Sequence, residues 1–137
     1  MRILGIDYGE KRIGLALSDP LGITAQGLTT IERTHIEKDL QKISDIIHEK
    51  GVEEIVIGLP KRMDNTLGDK AHEVIAFTEL LQKRISIPVK MADERLSTVK
   101  ANRAMLEGDL SRKKRKVRID MIAAQLILQS YLDGIKK

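Results

Sequence analysis

The chain has 137 residues and a formal net charge of +4, and 42% of it is hydrophobic, almost all of that aliphatic. It has no Cys and no Trp, one Phe and two Tyr, which excludes a disulfide framework or a thiolate zinc site and leaves little aromatic surface for stacking bases. No apolar run approaches the roughly 20 residues that cross a bilayer, and the N-terminus enters a strand pattern at once instead of a signal peptide. The expectation is a cytoplasmic protein folded as one domain over residues 1–137, a length at which one real core is feasible.

The elements follow in chain order. Residues 2 to 7 form an apolar run that reads as a buried strand. Lys11 to Ser18 alternates Ile13, Leu15 and Leu17 with smaller residues and reads as a second strand. A link with Asp19-Pro20 and Gly22 leads to a third, about Ala25 to Ile31. Short, turn-rich links between them predict an antiparallel meander. The period then changes. Thr34-His35-Ile36-Glu37 matches a capping box, and Ile36, Leu40, Ile43 and Ile47 recur at helical spacing up to Gly51. Glu54 to Gly58 is a short buried strand, and a polar loop, Lys61 to Gly68, follows it. A second helix, about Asp69 to Ile85, carries Ala71, Val74, Ile75, Thr78 and Leu81 on one face. Pro88 opens a fifth strand, Val89 to Ala92. A third helix covers about Ser97 to Leu106. A basic loop precedes a last apolar helix built on Ile119, Ile122, Ala123, Leu126 and Ile127 and ending about Leu132. Helical crossovers after strands 3 and 4 imply parallel pairing. The fold class is therefore α/β: a mixed five-stranded sheet, meander plus parallel strands, with helices on its faces.

Charge is uneven along this chain. Lys90 to Arg118 holds ten Lys/Arg against four Asp/Glu. Most of that excess is Arg112, Lys113, Lys114, Arg115 and Lys116, with Arg118 two places on. Such a run is either a solvated charged loop or a surface for a phosphate backbone.

Three acids sit where an acid is costly. Asp7 ends strand 1, Glu94 follows strand 5, and Asp120 lies near the start of the last helix. Each alone has an ordinary reading: a turn acid before Gly9, a partner of Arg95 or helix cap, and a first-turn acid favoured by the helix dipole. Together they argue otherwise, because the C-terminal ends of parallel strands form the edge where ligands gather. The small residues Ala123 and Ala124 would let the last helix lie close to the sheet. Three hard oxygen donors suit Mg²⁺ or Mn²⁺ rather than Zn²⁺. Two such ions about 4 Å apart serve phosphodiester hydrolysis. His35, His48 and His72 read as surface residues on helices or their starts.

The stretches GIDYGEKRIGLALSD (5–19), IVIGLPKRMDNT (55–66), DERLST (93–98) and DMIAAQLILQSYLD (120–133) occur in the order and at the separations of a known family. The chain resembles the YqgF/RuvX family of the RNase H-like superfamily, described as Holliday-junction resolvases and as nucleases maturing the 5′ end of the 16S ribosomal RNA precursor. The resemblance implies an RNase H-like nuclease domain with Asp7, Glu94 and Asp120 as catalytic, metal-holding residues and with the basic stretch Arg112 to Arg118 before the last acid. Where the family commonly has Asp-Gly-Ser/Thr, this chain has Asp64-Asn65-Thr66; Asn tolerates a left-handed turn. Lys11, Arg12, Lys61, Arg62 and Arg95 are further candidates for phosphate contact, although for Arg95 a supporting role, holding Glu94 or Asp93, is favoured. The implied substrate is a structured RNA precursor, with ribosomal components as possible partners and a monomer or weak homodimer as the assembly. Branched DNA in recombination and repair is the competing substrate, and it calls for a symmetric pair of sites. A non-catalytic nucleic-acid-binding protein is the reading from another class. A sugar-kinase or actin-like ATPase, which shares the strand ending Asp-x-Gly, needs two lobes and this length provides one.

Overall fold

The computed structural model describes residues 1–60, 67–93 and 112–135, with side chains described except at 112–118 and 135. Strands β1 (Arg2–Tyr8), β2 (Arg12–Ser18) and β3 (Ala25–Glu32) precede helix α1 (Ile36–Lys50), β4 (Val52–Leu59), α2 (Asp69–Arg84), β5 (Val89–Asp93) and α3 (Arg112–Ile135). The five strands make one sheet in the order β3-β2-β1-β4-β5. β1 pairs antiparallel with β2 and parallel with β4, β2 pairs antiparallel with β3, and β4 pairs parallel with β5. The expected meander, parallel strands and two-faced helix cover are all present. The third helix expected at 97–106 and the loop 61–66 lie outside the described residues.

Alternation along the strands sends side chains to two cores. Leu4, Ile6 and Tyr8 of β1 join Ile13 and Leu15 of β2 and Ile55, Ile57 and Leu59 of β4 beneath α1 and α2. Ile3, Ala16 and Val56 point the other way, against Ala123, Ala124, Ile127, Leu128 and Leu132 of α3. β1 is central and covered on both sides, which is why its sequence is a continuous apolar run.

The helices bury the expected stripes, with three differences. In α1, Leu40, Ile43 and Ile47 are buried, and Gly51 closes the helix at φ 64°, its N–H bonded to the Ile47 carbonyl. Its start differs from the expected capping box, because His35 holds the cap position without a side-chain bond. Asp39 takes the role instead and accepts from the Thr34 N–H and hydroxyl at 3.3 Å. In α2, Phe77 joins Ala71, Val74, Thr78 and Leu81 in the core and stacks on Tyr8 with ring centroids 4.2 Å apart. The largest correction is at the C-terminal end. The basic stretch expected as a loop is helical backbone, the first two turns of α3, so Asp120 stands well inside the helix and is not a first-turn residue.

Helix α3 runs back along the sheet. Near its far end the Gln129 side chain takes the Ala25 N–H at 2.9 Å, and Gln125 donates to the Ala25 carbonyl at 3.1 Å. Among the described residues no helix is long and apolar enough to cross a membrane.

Candidate active site

The site begins with alternation along β1. Ile3 and Gly5 face α3, so Asp7 does too, and it is only 4% exposed. Its partner across the β1–β2 ladder is Gly14. A Cβ on Gly14 would lie 2.0 Å from the Asp120 carbonyl oxygen and 2.5 Å from its carbonyl carbon. The α3 backbone at Asp120 is therefore seated directly on Gly14, beside Asp7. Further along, a Cβ on Gly5 would lie 3.0 Å from the Ala124 carbonyl oxygen, and Ala123 and Ala124 are buried. The small side chains do bring this helix close to the sheet.

The turn after Asp7 completes the arrangement. Gly9 N–H donates to the Arg12 carbonyl at 2.9 Å. A Cβ on Gly9 would sit 2.6 Å from that carbonyl oxygen and 3.6 Å from Asp120 Oδ1. The Asp120 carboxylate thus lies near the turn that Asp7 leads into. Two acids from distant segments stand on one face at the C-terminal end of β1, and the glycines between them allow the close approach of α3 to the sheet.

Glu94, Lys61, Arg62 and Arg95 lie outside the described residues, as do the side chains of Arg112, Lys113, Lys114, Arg115, Lys116 and Arg118. β5 is described to Asp93, which pairs with Leu59 at the same edge, and Glu94 is the next residue in the chain. Among the described residues no three Asp, Glu or His form a cluster able to hold a metal; the two acids brought together are Asp7 and Asp120. Carboxylate oxygens are the hard donors that suit Mg²⁺ or Mn²⁺.

Lys11 is exposed in the turn. Arg12 is held in an ion pair with Glu32, its cross-strand partner, at 2.8 Å. His35, His48 and His72 are exposed, as expected.

One residue at this edge escaped the sequence reading. Arg33 follows β3 and spans the turn from the α1 side. Its Nη1 donates to the Gly9 carbonyl at 2.8 Å and the Glu10 carbonyl at 3.0 Å, and its N–H donates to the Lys11 carbonyl at 2.9 Å. Its guanidinium lies 4.3 Å from the centroid of the Tyr8 ring. Burial raises the Tyr8 hydroxyl above its ordinary pKa of 10.0, and the Arg33 charge partly opposes that. The available signal was topological: a meander returns the end of β3 to the β1–β2 turn.

A mixed five-stranded sheet with α3 crossing its acid-bearing face is an RNase H-like fold. The chain belongs to the RuvX family, described as Holliday junction resolvase, which matches residues 1–134. It is 56% identical over 135 residues to a Clostridium acetobutylicum protein named "Putative pre-16S rRNA nuclease", covering 98% of this chain and 100% of that one. A Clostridium kluyveri protein of the same name is 56% identical over 137 residues, with 100% of both chains covered. Among solved structures, Thermus thermophilus RuvC in complex with a Holliday junction substrate has a TM-score of 0.61 at 16% identity, covering 99% of this chain and 96% of that one. The fowlpox virus resolvase with its Holliday junction DNA has a TM-score of 0.60 at 12% identity over 100% of both chains. At these identities the likeness is one of fold.

Proposed function

We propose that this chain, acting as one domain over residues 1–137, is a cytoplasmic, metal-dependent endonuclease that hydrolyses phosphodiester bonds at the 5′ end of the 16S ribosomal RNA precursor. The observation that carries the chemistry is the convergence of Asp7 and Asp120 on one face of the sheet edge, with the helix backbone seated on Gly14. The names of relatives 56% identical over essentially the whole chain support the substrate.

Asp7, Glu94 and Asp120 would hold one or two Mg²⁺ or Mn²⁺ ions, which when bound activate the attacking water and stabilise the departing oxygen. The protein's share is to fix the carboxylates. Asp7 is anchored in a central strand, and Asp120 is carried by a helix whose backbone is packed directly on Gly14. Lys11, exposed in the turn after Asp7, would take a backbone phosphate, and Lys61, Arg62, Arg95 and the Arg112 to Arg118 segment would add further phosphate contacts. Arg12, already paired with Glu32, contributes by holding the turn.

The test is cleavage of a precursor RNA carrying the 16S 5′ leader, with Mg²⁺ or Mn²⁺. Asp7→Asn and Asp120→Asn should each lower the rate by more than about 100-fold while leaving RNA binding intact, since loss of even an outer partner of a metal site costs 10–100-fold. Equal cleavage by Asp7→Asn and wild type would end this reading.

The family's description as a Holliday junction resolvase favours one second reading, cleavage of four-way DNA junctions. That activity requires two symmetric cuts and hence a dimer on the junction. Sedimentation with and without a synthetic junction separates the two: a monomer in both cases excludes resolution.

A further inference from the structure

We infer that Arg33 is a positioning residue for the metal site: by gripping the Gly9-Glu10 turn it sets where Asp7 and Asp120 stand relative to each other. The inference rests on the metal-dependent reading above. The turn is held between two elements. On the α1 side, Arg33 donates to both the Gly9 and Glu10 carbonyls, at 2.8 and 3.0 Å. On the α3 side, Asp120 Oδ1 lies near Gly9, within 3.6 Å of where a Cβ on that glycine would stand. Asp7 is two residues upstream on the same backbone, so the clamp acts on one acid through the chain and on the other through its nearness to the turn.

The grip itself is stiff. The guanidinium is stacked on the Tyr8 ring, Tyr8 is stacked on Phe77 of α2, and Tyr8 and Phe77 are both buried. Arg33 is also fixed at its backbone by the N–H bond to Lys11. Arg suits the position because its planar guanidinium stacks flat on the ring while Nη1 bonds both carbonyls; a Lys ammonium could reach the carbonyls but has no plane to stack. A bond from the end of β3 to the turn would serve a purely structural purpose equally well. What separates the readings is the nearness of Asp120 Oδ1 to Gly9, which puts the turn beside one of the two acids. Metal ligands tolerate displacements of only about 0.2 Å, and Mg²⁺ demands near-ideal octahedral geometry, so a slack turn must weaken binding.

The experiment is calorimetric titration of the full chain with Mn²⁺, without substrate, for wild type, Arg33→Lys, Arg33→Met, Asp7→Asn and Ile47→Val. Ile47 is buried at the far end of α1 and serves as a control for general loosening. Arg33→Met should weaken Mn²⁺ binding about tenfold, Arg33→Lys by less, and Ile47→Val not at all. Cleavage by the Arg33 variants should recover at saturating Mn²⁺. If both Arg33 variants bind Mn²⁺ as wild type does while Asp7→Asn does not, the inference fails and the metal site stands. If Asp7→Asn also binds as wild type, the metal reading itself has failed. Equal weakening in Ile47→Val would overturn the inference by showing that any loosening suffices. Should Arg33→Met not fold, Arg33→Lys decides alone.

Discussion

Gly14 has no side chain, and the backbone of Asp120 occupies the place where one would begin. No rotamer change relieves a clash with backbone, so α3 must move or the strand must bend. Gly14→Ala should destabilise the protein by roughly 1–3 kcal/mol, the usual range for overpacking, and lower Tm by several degrees. It should also depress cleavage beyond what lost stability explains, because the displaced atoms belong to Asp120. Gly134→Ala is the comparison: nothing stands within 4 Å of a Cβ there, so it should leave Tm unchanged or raise it slightly. Thermal melts and cleavage rates of the two variants check this, and a Gly14→Ala protein as stable and active as wild type would show that α3 is not seated on β2. In the sequence Gly14 reads only as a small residue between Ile13 and Leu15. The alternation was legible, but which face a helix would cover was not, since that depends on a segment more than 100 residues away.

At the scale of elements, α3 shows both what a pattern tells and what it hides. Its apolar face and its docking through Ala123 and Ala124 follow from spacing. Its first two turns did not, because six cations in seven residues resemble a solvated loop. Lys and Arg are nonetheless good helix formers, and once Ile119 onward is packed on the sheet the helix extends at little cost. The other end of α3 is pinned by a buried acid. Glu54 is 5% exposed, accepts from the Tyr131 hydroxyl at 2.7 Å and pairs with Lys90 at 3.0 Å. Hydrogen bonding to Tyr131, then to Glu54, raises Lys90 above its ordinary 10.5. Burial, then Glu54, raises Tyr131 above 10.0. Both groups therefore hold their protons longer in the folded state than in the unfolded one. Their contribution is complete below about pH 10 and is lost as pH climbs through the folded values. Urea unfolding from pH 8 to 11 should show stability falling above about pH 10, with a shallower fall in Tyr131→Phe. An identical slope in that variant would show that the network does not couple to unfolding.

For the molecule as a whole, topology and most of the core were readable from period changes, turn residues and the rule that crossovers bring strands parallel. The Asp120 backbone sits on the ladder partner of Asp7 because the topology fixes the directions of the elements that carry the two acids. Arg33 was not readable, because its partners are 23 and 24 residues back, across a meander whose register no local pattern specifies. The charge distribution is the remaining whole-molecule property. The window from Lys90 to Arg118 is strongly basic while the rest of the chain is slightly acidic, and its densest part is helical backbone leading into Asp120. From Asp120, seated on Gly14 of β2, back to Arg112 a helix rises roughly 12 Å, so the backbone of this segment extends past the level of Gly14. If it binds a phosphate backbone, each neutralised contact releases counterions, and the salt slope of log K is about −0.7 per contact for a single strand and −0.9 for a duplex. Lys113→Gln, Lys114→Gln and Lys116→Gln together should make the slope for precursor RNA shallower by about 2 to 3 and weaken binding at low salt, with Mn²⁺ affinity unchanged. Fluorescence anisotropy between 50 and 300 mM KCl measures this. An unaltered slope would assign the phosphate contacts to other cations at the edge, Lys11 first among those described.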